Sequence, residues 1–189
     1  MNAVLGLIHS EFWILNAAFW ILLLSMFRVR AEFREDLEVG ASVESVRALF
    51  ADPRSFARLM PGVESVEREG AERAAWTVRA EIPLVGAARG RFELERRDES
   101  ASRIEWGPAP TEEKNLLRYA VAFEELGTGR TLVRMALRVE LRRAHARELH
   151  LAAGLIGERR VSAGVQERVA EMMKTFLSRA RAELEGVTS

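Results

Sequence analysis

The sequence has 189 residues, of which 48% are hydrophobic and 30% are charged, a balance typical of one packed globular domain with at most one extra element. The 28 basic and 28 acidic residues cancel, so the chain lacks the basic surplus of nucleic-acid-binding proteins, and we expect no nucleic-acid partner. The chain has no cysteine and only three histidines, which excludes zinc ribbons, iron–sulfur centres and thiol nucleophiles. We therefore expect neither a metal nor a cofactor.

The N-terminal segment from Val4 to Phe27 is strongly apolar and carries a single charge. It is long enough to span a bilayer as a helix, and no secretory cleavage site follows it. The arginines directly after it favour a cytoplasmic location for the following domain. We therefore predict an apolar N-terminal helix over residues 1–28, a membrane anchor acting through residues 4–27, and a membrane-associated cytoplasmic domain.

Two other interpretations of this segment stay open. A helix that docks on a partner or on its own domain fits the same pattern. Glu11 and Asn16 at membrane depth favour an interfacial or oligomeric helix over a lone span. A start at Met26 also fits, because MFRVRAEF would begin a soluble domain directly in its first strand.

The first element of the soluble part is a strand. Apolar and charged residues alternate over residues 29–39, so that Phe33 and Leu37 face a core while their neighbours face solvent. Glu35 falls on the apolar side. A bulge or an edge position explains it more simply than a carboxylate that faces a cavity.

Two short helices follow this strand. Ser42 can cap the first, and Asp52 before Pro53 both ends that helix and caps the second. Pro61 and Gly62 then force a turn. Helices this short are stable only when they pack on a sheet.

Six more strands are predicted between residues 63 and 141, because apolar and charged residues alternate along each segment. The sequence Gly127-Thr128-Gly129 predicts a hairpin between the last two strands. This pattern favours an antiparallel sheet with one solvent-exposed face.

The last fifty residues return to a helical period. An apolar stripe from Val165 to Leu184 predicts one long amphipathic helix. Gly154, Gly157 and Gly164 lie just before this stripe, which predicts that the helix is broken or mobile there.

This order of elements predicts an α+β fold in which a curved seven-stranded antiparallel sheet surrounds a long C-terminal helix. In that order the chain resembles the START-like helix-grip (SRPBCC) superfamily over roughly residues 29–185, and we assign the helix-grip domain to residues 29–187. The segments SVESVRALFADPRSFARLMPGVESVE, LAAGLIG and VAEMMKTFLSRARAEL are similar to the CoxG group of carbon monoxide dehydrogenase proteins. A polyketide cyclase/dehydrase-like subgroup is the alternative.

The resemblance implies a binding or carrier protein for a hydrophobic small molecule, such as an isoprenoid quinone or a lipid. For the CoxG group it also implies a membrane-associated role accessory to a molybdenum dehydrogenase. In that group a membrane segment tends to follow the domain, whereas here the apolar segment precedes it. A polyketide cyclase or aromatase acting on an aromatic or polyketide substrate is the alternative function.

Nine inward-facing side chains are the candidate ligand-binding residues. They are Trp76, Val78, Phe92, Trp106, Tyr119, Phe123, Met135, Met172 and Phe176. Such residues either fill a core or line an apolar pocket, in which the tyrosine hydroxyl would orient a ligand and the methionines would adapt to it.

No catalytic residue is predicted. The sequence contains no GxSxG elbow, no HExxH motif and no phosphate-binding loop. A cyclisation can run on the shape of a cavity with one or two polar groups, so an enzyme stays possible in principle but is not the favoured interpretation.

Overall fold

The computed structural model describes residues 26–151 and 153–186. The predicted anchor over residues 4–27 therefore lies outside the described residues, apart from its last two. The alternatives for this segment stay predictions as well. Within the described ranges, no helix has both the length and the apolar character needed to cross a bilayer.

The described chain forms one seven-stranded sheet with helices packed against it. Its elements are β1 (Phe27–Val39), α1 (Val43–Ala51), α2 (Pro53–Leu59), β2 (Val63–Glu69), β3 (Arg73–Ile82), β4 (Gly86–Glu99), β5 (Arg103–Pro108), β6 (Asn115–Gly127), β7 (Arg130–Arg143), a 3₁₀ turn (Ala146–Glu148), α3 (Ala153–Ile156) and α4 (Glu158–Leu184). The strand order is β1-β7-β6-β5-β4-β3-β2, and every neighbouring pair is antiparallel. This confirms the α+β fold predicted from the alternating sequence.

The first and last strands of the domain pair along their whole length. Phe27 lies opposite Arg143 and Val39 opposite Thr131, so residues 27 and 28 belong to the sheet and not to the N-terminal segment. The register of this pair has no bulge. Glu35 is half-buried on the edge strand of the sheet, as the simpler interpretation expected.

The two short helices have the caps that the sequence predicted. The Ser42 hydroxyl accepts a hydrogen bond from the backbone N–H of Ser45, and the Asp52 carboxylate accepts one from the N–H of Arg54. These caps satisfy N–H groups that a helix start leaves unpaired. The helices bury their apolar faces, including Phe50, in the single core.

The long helix α4 runs along β1 in the same direction. Three side chains on the helix or directly after it accept hydrogen bonds from backbone N–H groups of β1 and the residue that follows β1. These bonds are Arg28 N–H to Glu158, Glu32 N–H to Gln166 and Gly40 N–H to Glu185, at 2.8–3.1 Å. They occupy donors that a bare edge strand would offer to another chain.

The helical region is broken where glycines predicted a break. Gly157 has φ +87°, a left-handed conformation that side chains rarely adopt, and it separates α3 from α4. Gly164 lies inside α4, where an added Cβ would come within 3.1 Å of the Pro83 carbonyl oxygen. The missing side chain therefore lets α4 approach the turn between β3 and β4.

Candidate ligand-binding cavity

An apolar cavity lies between the sheet and the part of α4 from Val165 to Met173. The inner faces of β3, β4 and β7 form one side, and Val165, Val169, Met172 and Met173 of α4 form the other. The space open to the centre of a water-sized sphere is about 120 Å³, several times the roughly 10–15 Å³ that one water requires. The cavity is therefore large enough for an organic ligand group.

Small residues on facing strands create this space. Ala80 lies opposite Ala88, and Val78 lies opposite Gly90; all four line the cavity. Core side chains normally interdigitate without voids larger than a water molecule. Here the short side chains of β3 and β4 do not reach α4, so the gap stays open.

Four of the nine predicted ligand-binding residues line the cavity. They are Trp76, Val78, Phe92 and Met172. Trp76 and Phe92 lie opposite each other on β3 and β4, as their shared inward phase predicted.

The other five predicted residues lie outside the cavity lining, in the packed core. They are Trp106, Tyr119, Phe123, Met135 and Phe176, and each is at most 6% exposed. The physical reason is that the cavity occupies only one half of the space beneath α4. Aromatic side chains fill the other half.

Phe56 of α2 is the centre of this aromatic packing. Its ring stacks on Phe176 with 4.5 Å between centroids, and it contacts Trp76 at 5.0 Å and Tyr119 at 4.9 Å. Offset and tilted pairs at these distances stabilise a core beyond their buried area. This cluster fills the core beside the cavity, and Trp76 belongs to both.

The Tyr119 hydroxyl does not have the ligand-orienting position that the sequence suggested. It is fully buried and donates a hydrogen bond to the backbone carbonyl of Phe50 at 3.0 Å. Burial raises the pKa of Tyr119 far above its usual value. The hydroxyl therefore acts as a structural donor that stays protonated.

Three arginines are the charged residues of the cavity lining within the described ranges: Arg89, Arg143 and Arg168. Arg143 and Arg168 are half-buried and border the cavity. Arg89 differs, because its side chain is 70% exposed and it alternates along β4 with the cavity-lining Ala88 and Gly90, so the side chain points toward the outer face. The rest of the lining is apolar or glycine.

The predicted ligand-binding residues did not include these arginines, nor Ala80, Ala88 and Gly90. A signal for one arginine existed, because Arg143 continues the inward phase of Leu137, Val139 and Leu141.

Two buried donors at the cavity have no hydrogen-bond partner within the described part of the chain. They are the indole Nε1 of Trp76 and the Nε of Arg168. Trp76 is 3% exposed. No cluster of acidic and histidine side chains in the described ranges could hold a metal ion. The mostly apolar lining suits an apolar molecule.

The sequence of residues 30–185 matches the family described as polyketide cyclase / dehydrase and lipid transport. The chain belongs to this family. No curated protein matches the chain significantly. Membership confirms the superfamily resemblance and supports a ligand-binding or cyclase-like role, while the narrower resemblance to the CoxG group stays a prediction.

Solved structures show the same helix-grip fold. A START superfamily protein from Mycobacterium smegmatis is 16% identical, with a TM-score of 0.54 and coverage of 83% of this chain and 99% of that one. The Zhui aromatase/cyclase from Streptomyces sp. R1128 is 16% identical, with a TM-score of 0.57 and coverage of 82% and 95%. A Thermus thermophilus protein is 26% identical, with a TM-score of 0.52 and coverage of 80% and 98%.

Proposed function

We propose that the protein is a non-enzymatic binding or carrier protein for a hydrophobic small molecule, either an isoprenoid quinone or another lipid. The observation that carries the proposal is the cavity lining, which is apolar or glycine except for three arginines among the described residues. An apolar ligand gains roughly 25 cal/mol for each Å² of its surface that leaves water. A wall of this composition therefore favours a largely apolar molecule.

The methionines of the cavity support binding of a flexible ligand. Met60, Met172 and Met173 line it from two sides. Methionine side chains repack easily around irregular shapes because they are unbranched and have three rotatable bonds. The lining therefore suits a chain-like molecule better than a single rigid shape.

A further part of the proposal concerns the membrane and rests on the sequence alone. Residues 4–27 would tether the domain to the cytoplasmic face of a membrane, from which a lipid enters the cavity. A molybdenum dehydrogenase is the partner that the CoxG resemblance suggests. Membrane fractionation of the full chain and of a chain that starts at Met26 tests the tether. Affinity capture with the same two chains tests the dehydrogenase partner.

Ligand extraction tests the carrier role directly. The full chain is purified gently from native membranes, extracted with solvent and analysed by mass spectrometry beside two variants. Ala88 lines the cavity and is half-buried, whereas its neighbour Ala87 is exposed and does not line it. Ala88→Phe therefore fills the cavity, and Ala87→Phe is its matched control.

We expect a stoichiometric apolar ligand in the wild type and in Ala87→Phe, and roughly tenfold less in Ala88→Phe, since a phenyl ring takes up the ligand's space. Thermal unfolding checks that both variants are folded. Repeated absence of any ligand from wild-type preparations would contradict the carrier role.

A cyclase or aromatase acting on an aromatic or polyketide substrate is the second candidate, favoured by the family to which the chain belongs. Among the described residues, the lining contains no carboxylate and no histidine, so such catalysis would depend on positioning of the substrate and on the arginines. A linear polyketide thioester mimic separates the two functions. A cyclised product formed by Ala87→Phe but not by Ala88→Phe supports the enzyme, and unchanged bound mimic supports the carrier.

A further inference from the structure

The charged residues around the cavity all have the same sign. Arg89, Arg143 and Arg168 line it, and no acidic side chain of the described ranges does. Cations concentrated at the mouth of an apolar cavity attract an anionic group more strongly than they would in bulk water, because the surroundings screen them less. A lining with cations and no carboxylate among the described residues favours an apolar anion over a neutral lipid, to the extent that the cations lack partners.

Two of these arginines already have a carboxylate partner. The Arg89 Nε lies 2.7 Å from a Glu64 carboxylate oxygen, and an Arg168 Nη lies 2.6 Å from a Glu171 carboxylate oxygen. Their charges are partly neutralised before any ligand binds.

Arg143 differs because its hydrogen-bond partners are neutral. It donates to the backbone carbonyls of Lys114 and Arg142 at 3.2 and 2.8 Å, and to the side-chain oxygen of Asn115 at 2.7 Å. These bonds hold the guanidinium in place without cancelling its charge. None of the ion pairs within 4.0 Å among the described residues includes Arg143.

Partial burial adds to this difference. Removal from water lowers the pKa of Arg143 from its usual value, although Glu148 and Glu112 at longer range oppose the shift. A partly desolvated cation without an anionic partner binds an arriving carboxylate through short, charge-assisted hydrogen bonds.

Trp76 is a second residue of the lining with an unpaired donor. Its side chain lines the cavity and is 3% exposed, yet its Nε1–H has no acceptor in the described part of the chain. A buried donor without an acceptor is unfavourable, and a carbonyl or hydroxyl oxygen on a ligand would relieve it.

We propose that the cavity binds an apolar carboxylic acid, whose carboxylate pairs with Arg143 and whose apolar body lies against β3, β4 and α4. The proposal rests on the proposed carrier function and narrows its ligand class. Within that class, an acid is preferred to a neutral quinone or ester.

Binding of three matched probes to the full-length chain tests the proposal. Decanoic acid, its methyl ester and 1-decanol share an apolar chain, and only the acid is charged at neutral pH. Affinities are measured by equilibrium dialysis for the wild type, Arg143→Met and Arg138→Met. Arg138 is the control because it lies on the same strand but on the outer face, where it pairs with Glu32 at 3.2 Å.

We expect the wild type and Arg138→Met to bind the acid at least about tenfold more tightly than the ester or alcohol, as the usual strength of a charge-assisted hydrogen bond implies. Arg143→Met is expected to bind all three probes about equally, and thermal unfolding checks that it is folded, because it loses the bonds to Lys114 and Asn115.

The other outcomes overturn different statements. Equal binding of acid and ester by the wild type overturns the acid preference and leaves the carrier function standing. Acid preference that persists in Arg143→Met overturns the role of Arg143. Failure of every probe to bind the wild type, in protein that also extracts without ligand, overturns the carrier function itself.

Discussion

The Tyr119 hydroxyl joins the sheet to the first helix by donating a 3.0 Å hydrogen bond to the backbone carbonyl of Phe50. That carbonyl lies in the last turn of α1, where carbonyl groups have no partner within the helix. Both residues are at most 1% exposed, so water cannot replace the bond. The contact ties α1 to β6 on the filled side of the space beneath α4.

Tyr119→Phe is expected to lower the free energy of unfolding by about 1–2 kcal/mol, because it leaves a buried carbonyl oxygen without a donor. Urea denaturation measures this change. Affinity for an apolar ligand should not change, since Tyr119 does not line the cavity. If Tyr119→Phe were as stable as the wild type but bound the ligand more weakly, the hydroxyl would instead face the ligand.

Gly164→Leu is expected to lower the free energy of unfolding by about 1–3 kcal/mol through overpacking. A Cβ at this position would lie 3.1 Å from the Pro83 carbonyl oxygen and 3.3 Å from a methyl carbon of Ile82. Ala163→Leu is the matched control, because Ala163 is the preceding residue of the same helix and is exposed. The measurement is thermal unfolding followed by circular dichroism. Equal stability of the two variants would show that α4 has room to move away from the turn.

The Glu140 carboxylate gives a pH-dependent prediction. Its side chain is 11% exposed and lies 2.7 Å from Arg142 and 3.3 Å from Arg30. The hydrogen bond from Arg142 is the main reason that the pKa of Glu140 is held below its ordinary value, and the charge of Arg30 adds to it. A carboxyl group with a lowered pKa in the folded state stabilises the fold above its unfolded pKa of about 4.3. This stabilisation disappears as the pH falls through the lower, folded pKa.

Glu140→Gln should therefore be less stable than the wild type by about 1–2 kcal/mol at pH 7. The difference should shrink as the pH falls below about 4.3, because the wild-type carboxyl group becomes neutral as well. Urea denaturation at a series of pH values measures both curves. A difference that stays constant down to acid pH would contradict the role of the ion pairs.

Most of the fold could be predicted because each element carries a local signal. The alternation along β1 buries Val29, Ala31 and Phe33 as expected. The caps at Ser42 and Asp52 are local as well, since each side chain accepts a bond from a backbone N–H only two or three residues away. Such signals are visible in a sequence because they depend on near neighbours.

The candidate site could be predicted only in part. The inward phase identified Trp76, Val78 and Phe92, and the helical stripe identified Met172. The same reasoning gave equal weight to Trp106, Tyr119, Phe123, Met135 and Phe176, which lie in the packed core. An inward phase predicts only that a side chain is buried. Whether it packs against a neighbour or borders a cavity depends on the sizes of the side chains that face it.

The order of residues alone is enough to assign the strands and helices, the faces that they bury, and the superfamily to which they lead. The packed molecule alone shows where the space beneath α4 stays open. It alone also shows which charged residues border that space. The difference lies in contacts between elements. Phe56 of α2 stacks on Phe176 of α4, and the register of β3 and β4 places Ala80 opposite Ala88. Arg143 of β7 hydrogen-bonds to Asn115 of β6 and has no carboxylate partner among the described residues. A pattern of hydrophobicity records burial at each position, but a cavity is a relation between side chains on several elements.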